Sequence, residues 1–133
     1  MSFRFGKRSV TRLFTCDERL VRVAHRALLF SPFDFFIIEG HRSKQQQTAA
    51  YNNGKSKLQW PHSKHNTSPS TAMDLAPWPV HWRNVMQFHV LAGVIFTAAA
   101  HEKVRLRWGG DWDGDWSAVD QKFFDLPHFE ILE

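Results

Sequence analysis

The chain has 133 residues and a mass of 15.5 kDa, enough for one hydrophobic core without metal or disulfide staples. A hydrophobic content of 43% with six tryptophans excludes a disordered chain, and a single cysteine, Cys16, excludes an internal disulfide. The net charge of +4 and pI near 9.6 favour anionic surroundings, but the basic residues are dispersed, from Arg19 and Arg22 to Lys103 and Arg107. No basic run of the kind that binds nucleic acid is present, so a nucleic-acid partner is not expected.

Taken in chain order, Arg4, Lys7, Arg8 and Arg12 lie in polar sequence without the pattern of a signal peptide, so synthesis in the cytoplasm is expected. Thr15-Cys16-Asp17-Glu18 has the form of a capping box and predicts a helix to about Leu29, with Leu20, Val21, Val23, Ala24, Ala27 and Leu28 on its apolar face. Phe35–Ile38 reads as a short buried strand ending at Glu39-Gly40. Ser43-Lys44-Gln45-Gln46 is a second capping box, predicting a helix to Asn52 or Asn53 before Gly54. Lys55 to Ser70 is polar and reads as loop.

Thr71 to Ala76 alternates as a strand, placing Ala72 and Asp74 on one face and Met73 and Leu75 on the other. Trp82 to His101 predicts a long helix, apolar on more than one face and so centrally buried. Its mostly apolar stretch is broken by Gln87 and His89, and no stable membrane insertion is expected. Val104 to Trp108 reads as a strand, Gly109-Gly110-Asp111-Trp112 as a loop, and His128 to Leu132 as a closing strand with His128 and Glu130 on one face. The expected architecture is a single compact α+β domain over residues 1–133, with a small antiparallel sheet and flanking helices, and monomeric.

Two distant segments carry residues suited to a metal-dependent hydrolase. Ser63-Lys64-His65 leads to Asp74, and the second segment is Asp125-Leu126-Pro127-His128-Phe129-Glu130. A catalytic zinc takes three nitrogen or oxygen ligands and keeps a fourth position open. His65, Asp74 and His128 supply that number, with Asp125 spare to handle a proton. Asp74 stands between Met73 and Leu75, where an unpaired charge would be costly to bury, and ligation relieves that cost. His62 is the rival ligand, three residues before His65, but the prolines and serines around it argue against the helical turn it would need. Each segment alone is weak, because eight histidines in a chain this size guarantee accidental neighbourhoods.

In their order, these segments resemble the zinc peptidases that cleave bacterial cell-wall peptides. That family comprises D-alanyl-D-alanine carboxypeptidases and the L-alanyl-D-glutamate endopeptidases that serve as bacteriophage endolysins. Glu39-Gly40-His41-Arg42-Ser43, then Gln46-Gln47, Asn53-Gly54-Lys55-Ser56-Lys57 and Trp108-Gly109-Gly110-Asp111-Trp112 extend the resemblance over nearly the whole chain. One departure is the spacing: eight residues separate His65 from Asp74, where many members have six, which reads as a longer loop.

The resemblance implies the fold shared by D,D-peptidases and Hedgehog signalling domains, with Zn2+ held by His65, Asp74 and His128. It implies attack of a metal-bound water on a peptide carbonyl, with Asp125 as general base and Arg42 across the cleft, binding a substrate carboxylate or the oxyanion. Ser63, Gln46, Gln47, Asp111 and Trp112 are weaker candidates for contacts to substrate. The implied substrate is the peptide stem of peptidoglycan, reached in the periplasm after release from the cytoplasm. The reaction expected is L-alanyl-D-glutamate endopeptidase cleavage, with D-alanyl-D-alanine carboxypeptidase as the alternative. A non-catalytic binding module that kept the fold is the reading from a different class, signalled by loss of a ligand or base, and neither is lost.

Overall fold

The computed structural model describes residues 3–117 and 124–133. Four helices, a 3-10 turn and four strands follow in the order α1 (Lys7–Leu13), α2 (Glu18–Phe30), β1 (Phe35–Glu39), α3 (Lys44–Asn52), the turn Lys64–Asn66, β2 (Ala72–Pro77), α4 (Val85–Glu102), β3 (Leu106–Gly109) and β4 (Asp125–Ile131). The strands form one sheet in the order β1-β2-β4-β3, and every neighbouring pair is antiparallel. The α+β architecture with a small antiparallel sheet is the one expected.

Strand alternation divides the sheet chemically. Phe35 and Ile37 of β1, Met73 and Leu75 of β2, Leu106 and Trp108 of β3, and Phe129 and Ile131 of β4 all enter the hydrophobic core. The intervening residues, among them Asp74, Arg107, His128 and Glu130, occupy the opposite face. Register aligns them, with Asp74 opposite His128, and Ala72 and Arg107 both opposite Glu130. A one-residue slip of β4 would send the imidazole into the core, so the apolar face specifies the polar one.

Two helices cover the core. In α2, Leu20, Val23, Ala24, Ala27 and Leu28 recur at helical spacing and are buried. In α4, Phe88, Leu91, Ala92, Ile95, Ala98 and Ala99 form the buried stripe. The centrally buried helix expected over Trp82 to His101 is buried along one side only: Met86 is 74% exposed, and Val85 and Val90 are also exposed, because the other side alone meets α2 and the sheet. The helix ends at Lys103 in the left-handed region, φ 59°.

Local signals near the N-terminus differ from the expectation. Thr15 does not cap α2. Asp17 does, its carboxylate accepting from the Arg19 amide at 2.9 Å. The Thr15 hydroxyl donates to the Arg12 carbonyl at 2.7 Å and accepts from the His41 amide at 2.8 Å, tying the end of α1 to the turn after β1. Ser43, by contrast, completes its capping box with Gln46.

The turn after β1 is tight. A Cβ on Gly40 would stand 2.3 Å from Thr15 Oγ1 and 2.5 Å from the Arg12 carbonyl oxygen. Gly40→Ala therefore forces the turn away from α1, and overpacking of this kind costs about 1–3 kcal/mol. Because the Gly40 carbonyl accepts from His65 Nδ1 at 2.7 Å, the expected result is a lowered melting temperature together with weakened metal uptake. Chemical denaturation and metal titration of Gly40→Ala check both; unchanged values would show that the turn yields freely.

Candidate metal centre and catalytic cleft

His65 is placed by its own local sequence. Ser63 caps the 3-10 turn, its hydroxyl accepting from the His65 amide at 3.2 Å while its own amide donates to Asn66 Oδ1 at 3.0 Å. The turn is joined to the Gly40–Arg42 segment by the Arg42 amide, which donates to the His65 carbonyl at 2.8 Å, and by Asn66 Nδ2, which donates to the Arg42 carbonyl at 3.0 Å. These ties leave the His65 side chain buried with Nε2 directed at Asp74.

Asp74 Oδ1 lies 3.1 Å from His65 Nε2 and 3.1 Å from His128 Nδ1. The three form a group whose donor atoms all lie within 4.8 Å of one another, positioned by a turn and two adjacent strands. Burial alone would push the Asp74 carboxyl up, but the imidazoles of His65 and His128 outweigh it and hold the group well below the usual carboxylate range. Burial opposes charge on His128 too, yet its bonds to Asp74 and Glu130 prevail and raise it to about 9. Two imidazoles converging on one largely buried carboxylate have a geometry consistent with coordination of a metal cation.

The group opens into a cleft of about 830 Å3. Asp125, at the start of β4, lines it. Burial first, and then repulsion from Asp74, raise the Asp125 carboxyl above its ordinary value despite the nearby His128, His65 and Arg42. Gly109 is what lets β3 approach here, since a Cβ on it would meet the Asp125 carbonyl oxygen at 2.0 Å.

Arg42 lies not across the cleft but on the same wall as the ligands. Its Nη2 donates to Glu39 Oε2 at 2.8 Å and lies 3.8 Å from Asp74 Oδ2, while Nη1 donates to Gln47 Oε1 at 2.8 Å. Gln46, Ser63 and Trp112 line the cleft. Gln47 and Asp111 do not. Gln47 is fully buried and holds Arg42, with its amide nitrogen donating to Ser56 and to the Leu58 carbonyl. Asp111 is buried in the loop after β3 and accepts from the Trp116 amide at 2.8 Å. His62 also lines the cleft, exposed, but is not among the grouped donors. Burial pushes the Cys16 thiol up to about 11, which rules it out as a nucleophile at neutral pH.

Sequence reading did not find the parts played by Glu130 and Glu39. Glu130 Oε1 lies 2.8 Å from His128 Nε2, and Glu39 pairs with Arg42. The signal for Glu130 was present in the alternation His128-Phe129-Glu130, which puts both polar side chains on one face.

The family model described as phage L-alanyl-D-glutamate peptidase matches residues 1–132. The chain belongs to that family. An L-alanyl-D-glutamate peptidase of Escherichia phage T5 is 35% identical over 139 residues, covering 99% of this chain and all of that protein. The crystal structure of ChiX, an L-Ala D-Glu endopeptidase of Serratia marcescens, superposes with a TM-score of 0.79 at 28% identity, covering 98% of this chain and 91% of that one. This chain and ChiX thus share one overall fold, and in this chain the His-Asp-His group lies where the 3-10 turn meets the polar face of the sheet.

Proposed function

We propose that this chain is a zinc endopeptidase that cuts the L-alanyl-D-glutamate bond of the peptidoglycan stem. The observation that carries the reading is the convergence of His65 Nε2, Asp74 Oδ1 and His128 Nδ1 at the wall of an open cleft. Zinc bonds of about 2.0–2.1 Å in tetrahedral geometry separate neighbouring donors by roughly 3.3 Å, close to the 3.1 Å found on both sides of Asp74. The donor set of two imidazoles and one carboxylate is that of hydrolytic zinc sites, with one position left for water. The two relatives described above are named for the L-alanyl-D-glutamate bond, which supports that bond over the terminal D-alanyl-D-alanine linkage.

When bound, zinc would polarise the scissile carbonyl and acidify water at neutral pH. Asp125 accepts the proton of the attacking water and delivers it to the leaving amide nitrogen, a transfer suited to a carboxyl whose pKa is raised. Arg42, fixed by Glu39 and Gln47, contributes positive charge beside the ligand carboxylate for a stem carboxylate or for the developing oxyanion. Trp112, tilted against His128 at 5.4 Å between ring centroids, walls the cleft beside that imidazole.

Mass spectrometry of fragments released from purified peptidoglycan tests the reading. Separation of the stem after its L-alanine is expected; loss of only a terminal D-alanine would make the enzyme a carboxypeptidase, and no release by zinc-loaded protein would end the peptidase reading.

Zinc uptake should also release a proton. Metal-free His128, raised to about 9, is protonated at pH 7–8, and ligation requires Nδ1 to be free. Calorimetric titration in buffers of different ionisation enthalpy, at about pH 6 where water at a zinc site is still mostly un-ionised, should give a buffer-dependent heat; a heat independent of the buffer would show that His128 enters the site without a proton to lose. The same raised value means that metal-free protein gains stability from His128 fully below about 6.5, its unfolded value, and loses it as pH rises through about 9.

A further inference from the structure

His65 and His128 each turn one ring nitrogen to Asp74, and each has its other ring nitrogen held, but by different partners. His65 Nδ1 meets the Gly40 carbonyl, a neutral acceptor fixed in the backbone. His128 Nε2 meets Glu130 Oε1, a carboxylate on a side chain with rotatable bonds. A backbone carbonyl needs no further support to stay in place, whereas a flexible carboxylate does. Glu130 is 5% exposed and receives that support from two cations on separate segments. Arg107 Nη2, from β3, donates to Oε2 at 2.8 Å, and Lys64 Nζ, from the 3-10 turn, lies 3.8 Å from the same oxygen. Both approach Oε2, leaving Oε1 to the imidazole. Lys64 Nζ also donates to the Ile131 carbonyl at 3.0 Å, so the residue preceding one histidine ligand is tied to the strand bearing the other.

We propose that Glu130 is a positioning residue of the metal centre, holding His128 with Nδ1 directed at the metal, and that Arg107 and Lys64 clamp Glu130 through its second oxygen. The proposal rests on the reading of His65, Asp74 and His128 as metal ligands. Without an acceptor at Nε2, a half-turn of the ring about Cβ–Cγ would carry Nδ1 away from Asp74 and put a carbon in its place. With a carboxylate there, the Nε2 proton is fixed and the Nδ1 lone pair is kept for the cation, which also makes the ring a better donor. Glu130 cannot serve the reaction as a base in this arrangement. It sits against the ring nitrogen not turned to Asp74, and both its oxygens are engaged.

The test is the zinc dissociation constant, measured by competition with a chelator, for wild type, Glu130→Gln and Arg107→Met, each first shown to be folded without metal by circular dichroism. Loss of an outer partner of a ligating histidine typically weakens metal binding about 10–100-fold, which is expected for Glu130→Gln, with a smaller loss in the same direction for Arg107→Met. Nitrogen-15 spectra of the imidazoles in zinc-loaded wild type give a second readout that needs no variant. They should show His128 ligated through Nδ1, with a proton on Nε2. A folded Glu130→Gln with the wild-type constant, or ligation through Nε2, overturns the proposal. An unchanged constant in Arg107→Met removes the clamp. A wild type that takes up no zinc would instead overturn the metal centre itself, and so is told apart from failure of the positioning role alone.

Discussion

Asp125→Asn is expected to lower turnover by about 10²–10⁴-fold while the variant keeps its fold and its metal, the range that a positioned general base contributes. Asparagine has nearly the same shape and leaves the backbone contact with Gly109 intact, so the substitution removes the proton acceptor and little else. Asp125 is not one of the grouped donors, which is why metal content should not change. In the metal-free protein, burial and the neighbouring Asp74 raise its carboxyl above the ordinary value. Steady-state cleavage of a defined muropeptide with metal content measured on the same sample decides the matter. Near-normal turnover by loaded Asp125→Asn would transfer the base role elsewhere. Glu130 would be a poor recipient, engaged as it is by His128 and Arg107.

The larger loss should come from His65→Ala. His65 is 1% exposed and gives one of the three donors grouped among the described residues, so its removal leaves two of them and activity should fall to background. Wild type stripped by a chelator should regain cleavage on adding back zinc, whereas His65→Ala should not. The variant also strips the Gly40 carbonyl of its imidazole partner, and a buried group left unsatisfied costs about 1–3 kcal/mol, so a lower melting temperature should accompany the loss of metal. One equivalent of zinc retained by His65→Ala would take His65 out of the centre.

The elements most legible in the sequence were those whose signals are local. The Ser43 capping box and the alternation Ala72-Met73-Asp74-Leu75 depend on neighbours a few residues away, and both appear as expected. Helix α1 was missed because Lys7, Arg8 and Arg12 interrupt a short apolar pattern whose only buried members are Ser9 and Leu13. Thr15 misled because its hydroxyl is taken by the turn after β1, a partner distant in sequence. The same holds at the site. His65, Asp74 and His128 could be picked out by residue type and motif order, and the structure brings them together. Gln47 and Asp111 could not be separated from their cleft-lining neighbours Gln46 and Trp112 until the contacts were visible, since two adjacent side chains give no sign of which one turns inward. The place of Arg42 beside Asp74 follows from Glu39 standing opposite Asp74 in the register of β1 and β2, which no local pattern encodes.

Asp74 and His128 stand 54 positions apart in sequence but face each other directly across hydrogen-bonded strands. Their separation is therefore set by the ladder between β2 and β4 and not by the length of chain between them. Descendants of this protein can lengthen or shorten the segment between β2 and α4, or that between α4 and β3, and still inherit the same spacing of donor atoms. The catalytic geometry is insulated from insertions and deletions over that stretch, which leaves those surfaces free to diverge while the chemistry stays put.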